Sequence, residues 1–249
     1  MLHPAIKKVQ NVFAVAGYNF RGWHKNPRIF ISFALAFILC FLLSNKIVLF
    51  AEEHDTVMQF LEPFIWTFGD SDSILLSSLI LVFLFADMPF LTSGTPFFLM
   101  RTSRRIWVLG QVVYIVAATF LYLVFILFST VIICGQYSYV GNLWSNTAVM
   151  LGYSSAGTTL YVPATVKAME MAAPVACAGI IFLLMLFYTL LLILVMLIFN
   201  LAKGQLWSMA AVLGISVYGF LLSPDTLKTV LHLSDSQAYK ANVFVGWLS

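Results

Sequence analysis

Negative charge is scarce in this sequence, and the amino-terminal fifth carries none: the first of the 10 acidic residues among its 249 positions is Glu52. Charge of either sign is thin, at 9% of residues, and residues 106–166 contain no charged side chain. With hydrophobic residues at 61% and a mean hydropathy of +0.96, too little polar surface remains to cover a soluble globule of this size. The class that fits is a helical membrane protein. Cysteine is sparse too: Cys40, Cys134 and Cys177 sit in or beside apolar runs, with no CxxC pair. An odd count without that spacing argues against a disulfide framework and a cysteine metal centre and favours small buried hydrophobes, with a Cys134–Cys177 bridge on the outer side as the alternative. No GxxxxGK[ST] loop occurs, so the chain has no such cradle for nucleotide phosphates. The net charge of +3 is too small to imply a nucleic-acid partner.

What is present is a set of apolar runs long enough to cross a hydrocarbon core, which takes about 20 residues. The expected spans are residues 29–50, 73–90, 106–135, 175–200 and 207–222 of one transmembrane domain covering residues 1–249. Residues 136–174 and 223–249 read as outer segments, the first rich in serine, glycine and tyrosine and suited to headgroup depth. Before the first span, Leu2, Ile6, Val9, Phe13, Ala16, Phe20 and Trp23 recur at steps of three and four. That spacing predicts an amphipathic helix over residues 1–28, lying on the inner leaflet with lysines and arginines towards anionic lipid.

Residues 92–105 form an elbow between the second and third spans. Pro89, Gly94 and Pro96 interrupt any continuous helix there. Thr95 and Pro96 suit a helix start, Phe97, Phe98 and Met100 make one short apolar turn, and Arg101, Arg104 and Arg105 close it. Lys7, Lys8, Arg21, Lys25, Arg28, Arg101, Arg104, Arg105 and Lys203 are nine of the 13 basic residues, and all fall on the side shared by the amino terminus and the elbow. By the positive-inside rule that side is cytosolic. Asp87, near the inner end of the second span, is expected to pair with Arg104 or Arg105 and pin the elbow.

A basic interfacial helix, a Pro/Gly elbow with arginines, a long third span and membrane-lying outer segments together resemble the type-2 ABC exporter permeases. The resemblance implies six spans, so a sixth is expected where Val243 to Leu248 turns apolar again. It also implies a second permease copy, identical or not, and a cytosolic ABC ATPase holding ATP and magnesium, with no cofactor on this chain. Thr95, Pro96, Phe97, Phe98 and Met100 then seat in a groove of that ATPase, and the localisation is a bacterial plasma membrane. The expected cargo is amphipathic, most readily a small peptide, along an apolar path with Ser77 and Ser78 as its polar groups. The neighbouring alternative is an immunity pump that clears an antimicrobial peptide.

From a different class, Glu52, Glu53 and His54 with Asp55 bring carboxylates beside a histidine, a set that can activate water in a membrane-embedded hydrolase. One such protease family uses EExxxR, but Val57 stands at the arginine position, and a solvated acidic loop is the plainer reading. The small residues Ala172, Ala173, Ala176, Ala178 and Gly179 permit close helix approach or face a second copy.

Overall fold

The computed structural model describes residues 4–69, 71–89, 103–162, 164 and 166–221. The described chain is mostly helical. Helix α1 spans Pro4–Arg21, α2 Pro27–Glu53, α3 Glu62–Thr67, α4 Ser71–Leu84 and α5 Arg104–Cys134. They are followed by α6 (Asn146–Tyr153), α7 (Ala156–Thr159), α8 (Val166–Met171), α9 (Pro174–Lys203) and α10 (Gln205–Leu221). Two-residue strands, β1 (Met58–Gln59) and β2 (Ser138–Tyr139), pair in parallel.

Among the described residues three helices are long and apolar enough to cross a membrane: α2, α5 with the turn that follows it, and α9. Their ends follow from local chemistry. The Asn26 side chain caps α2 by accepting from the Arg28 backbone N–H at 3.1 Å, and Pro27 supplies the first helical dihedral. Ser103 caps α5 in the same way, and Pro174 opens α9. At its other end α9 stops at Gly204, whose φ of 93° is costly for any residue with a Cβ, and α10 begins at the next residue.

The expected second span, residues 73–90, is corrected to a helix of 14 residues ending at Leu84. At 1.5 Å per residue it measures about 21 Å, short of a hydrocarbon core of roughly 30 Å. Past Leu84 the chain turns at residues 85–87, and Pro89, which cannot donate a backbone hydrogen bond and disfavours helical geometry at Met88, keeps the helix from resuming there. Helix α10 is also short for a span, at 17 described residues.

Helix α5 is the central post, packed by α1, α2, α3 and α9, while α4 and α10 complete the far side of the bundle. On α2 the side turned inward is Ser32, Ala36, Cys40 and Ser44, four small residues at a strict step of four, all fully buried. Such a ridge lets two apolar helices approach closely where lipid provides no hydrophobic drive. Large side chains point the other way: Phe30, Phe41, Leu42, Phe128, Phe187 and Leu191 are exposed. A bundle with serines inside and phenylalanines outside fits a lipid surround.

The segments joining the long helices build a cap at the end of the bundle away from Asp87. Within this cap Glu52, Glu53, His54 and Asp55 are exposed, whereas α3 after them is buried throughout. Its Trp66 stacks on Trp144 with ring centroids 5.7 Å apart, and the Trp144 indole N–H donates to the Ala172 carbonyl at 2.9 Å.

Candidate functional site

Residues 90–102 lie outside the described residues, and with them the expected ATPase-coupling positions Thr95, Pro96, Phe97, Phe98, Met100 and Arg101. Both approaches to the elbow are described. Arg104 and Arg105 are exposed in the first turn of α5. Asp87 follows the last turn of α4, and its partner differs from expectation: Asp87 Oδ1 accepts from Arg28 Nη1 at 2.5 Å, not from Arg104 or Arg105. Arg104 and Arg105 follow the elbow in sequence, whereas Arg28 is brought in by the packing of α2 on α4.

The pair is one part of a polar node. Gln205, the first residue of α10, donates its side-chain amide to Asp87 Oδ1 at 3.2 Å. The Asn200 side-chain amide on α9 donates to the Met88 carbonyl, and buried Ser208 of α10 donates to Asn200 Oδ1 at 3.0 Å. The start of α2, the end of α4 and the α9–α10 turn are therefore tied together at one point, a few residues before the elbow begins. The guanidinium of Arg28 also lies 5.8 Å from the ring centroid of Phe83, which holds it against α4.

A second junction fixes the other side of the elbow. The Asn19 side-chain amide donates to Gln111 Oε1 at 2.8 Å, and the Trp23 indole N–H donates to the Tyr114 hydroxyl at 2.8 Å. Phe20 meets the Tyr114 ring edge-on at 4.9 Å. Between them sits Gly110, where an added Cβ would fall 2.6 Å from Val15 Cβ, so α1 rests directly on the α5 backbone. Helix α1 thus presents three faces. Val15, Ala16 and Asn19 are buried; Ile6, Val9 and Phe13 are exposed; Lys7 and Arg21 are exposed on the polar side. The expected stripe divides accordingly, with Ala16, Phe20 and Trp23 against the protein and Ile6, Val9 and Phe13 facing outward.

Ser77 and Ser78 are buried in the packed bundle and line none of the described cavities. Ser78 donates to the Ile74 carbonyl at 2.7 Å, and the Tyr122 hydroxyl donates to the Ser77 carbonyl at 3.2 Å. An apolar groove of about 680 Å³ lies elsewhere, over Phe20 of α1, Val112, Val116 and Phe120 of α5 and Leu186 of α9. Glu52, Glu53, His54 and Asp55 are exposed where α2 ends. His54 Nδ1 lies 3.0 Å from the Phe50 carbonyl, so one ring nitrogen is engaged by the helix end. Among the described residues no three His, Cys, Asp or Glu side chains group as a metal site. On α9, Ala176 and Gly179 are exposed and Ala178 is buried, so the small-residue cluster straddles two faces.

Asn19, Gln111, Asn200 and Gln205 escaped the sequence reading. Their signal was available, since a carboxamide within or beside an otherwise apolar helix must find a partner there. No family model, curated protein or solved structure matches the chain.

Proposed function

We propose that this chain is the membrane subunit of an ATP-driven exporter of the type-2 ABC permease kind, moving an amphipathic cargo, most readily a small peptide, out of a bacterial cell. A separate cytosolic ATPase binds ATP and magnesium and presses on residues 92–105. In this reading α2, α5 and α9 cross the membrane, with the shorter apolar helices α4 and α10 packed against them. The amino terminus is cytosolic, and two permease copies enclose the path.

The observation that carries the proposal is the node at Asp87. A push on the elbow reaches α4 through Asp87 and Met88, and the same two residues hold α2 through Arg28 and the α9–α10 turn through Asn200 and Gln205. On the other side the elbow runs into α5, which carries α1 on Gly110. Force delivered at the elbow is thereby shared among the membrane helices.

The test is purification from native membranes in mild detergent, followed by assay of the preparation for an ATP-hydrolysing subunit in near-equal amount. Phe98→Asp should then abolish substrate-stimulated ATP hydrolysis while leaving the permease folded. A preparation free of any nucleotide-binding partner in several detergents, or undiminished export by Phe98→Asp, would overturn the proposal.

A further inference from the structure

At the end of α1 the chain turns through residues 22–26 into α2 and encloses a cavity of about 590 Å³. Its lining pairs an apolar base, Trp23, Pro27 and Ile29, with a cationic rim of Arg21 and Lys25, beside which lies His24. One carboxylate, Asp87, also reaches it, but Arg28 neutralises that group at 2.5 Å. Arg21 and Lys25 are exposed and form no ion pair among the described residues. The indole of Trp23 is fixed by its hydrogen bond to Tyr114, so the base of the cavity is held in place by α5. The cavity is thus a preformed recess with net positive charge at its mouth and apolar surface below.

We infer that this recess binds the phosphate headgroup of an anionic phospholipid, the phosphate held by Arg21 and Lys25 and the glycerol end resting on Trp23 and Ile29. The occupant follows from where the recess lies. On the same helix Ile6, Val9 and Phe13 are exposed and suit the boundary between headgroups and acyl chains, which sets the end of α1 at headgroup depth. A tryptophan beside arginine and lysine is the residue set that anchors there. The inference rests on the membrane reading and is independent of the exporter reading, so either can fail alone.

The test uses the full chain, delipidated in mild detergent and supplied with defined mixtures of phosphatidylglycerol and phosphatidylcholine, with retained lipid counted by native mass spectrometry. One phosphatidylglycerol should be retained roughly thirtyfold in preference to phosphatidylcholine, the scale of two basic side chains at a membrane surface. Arg21→Gln with Lys25→Gln should erase that preference. The charge-preserving pair Arg21→Lys with Lys25→Arg should keep it, which separates loss of charge from loss of fold. Lys7→Gln with Lys8→Gln, on the same helix but outside the recess, should keep it too. Equal retention of the two lipids, or a preference surviving in the double glutamine variant, would overturn the inference. Displacement of the lipid by glycerol phosphate in the millimolar range would assign the site to soluble phosphate esters and overturn the lipid assignment.

Discussion

Glu62 shows how much one side chain can organise in the cap. It is 1% exposed, and its carboxylate accepts from the backbone N–H of Ser145 at 2.8 Å, from the Ser145 hydroxyl at 2.6 Å and from the Gln59 N–H at 3.2 Å. Ser145 in turn caps α6 by accepting from the Ala148 N–H at 3.0 Å, so one carboxylate joins α3 to α6 across 83 positions of sequence. Glutamine at position 62 would turn an amide donor towards groups that are themselves donors, at a cost of about 1–3 kcal/mol. Thermal unfolding in detergent should show Glu62→Gln destabilised by that amount, and an unchanged melting temperature would remove Glu62 from the cap's support. Burial, opposed by the bonds from Ser145 and Gln59, raises the carboxyl above its ordinary range. The folded chain therefore holds this proton more tightly than the unfolded chain. Its stabilising contribution is full below the unfolded pKa and is lost as pH rises through the folded one. Hydrogen exchange at residues 59–62 and 145–148, corrected for intrinsic rates, should accelerate as pH climbs from the ordinary glutamate range upward. Glu62→Gln should flatten that dependence.

At the scale of elements, the contact between α1 and α5 depends on the missing Cβ at Gly110. Alanine there would meet Val15 Cβ at 2.6 Å and the Val12 carbonyl at 3.1 Å, neither of them the end of a flexible side chain. The helices must separate, which costs about 1–3 kcal/mol. Because the two residues touch, Val15→Gly should recover part of the Gly110→Ala penalty, and a double-mutant cycle on thermal unfolding measures that recovery. Strictly additive losses would mean that α1 is held some other way. The same contact explains what the sequence revealed and what it withheld. The spacing of Ile6, Val9, Phe13, Phe20 and Trp23 was enough to identify an amphipathic helix, yet it could not say which part of the stripe meets protein, because that depends on a glycine some ninety positions away. The apolar pattern suggests a longer α4 for a local reason, since apolar residues continue past Leu84 although the chain turns at residues 85–87. Partners are least legible. Asp87 stood out as a lone carboxylate in an apolar run, but nothing near it in sequence pointed to Arg28, Asn200 or Gln205, which arrive only through helix packing.

For the whole molecule the question is whether the Asp87 node holds the fold or transmits motion, and stability and transport separate the two. The side chains of Arg28 and Asp87 are 38% and 39% exposed, so solvent screens their attraction and the pair contributes under about 1 kcal/mol to folding. Asp87→Asn should consequently leave the melting temperature in detergent nearly unchanged. If the chain is the exporter subunit proposed above and the node transmits force, the same substitution should reduce substrate-stimulated ATP hydrolysis in the reconstituted complex several-fold, because α4 could then move without taking α2 along. The exchange Arg28→Asp with Asp87→Arg restores an attractive pair across the same gap and should recover most of that activity, whereas each single charge reversal should not. A parallel fall in melting temperature and activity would make the node a structural clamp. Full activity in Asp87→Asn would show that the elbow acts on the bundle by another route, through Arg104, Arg105 and the first turn of α5.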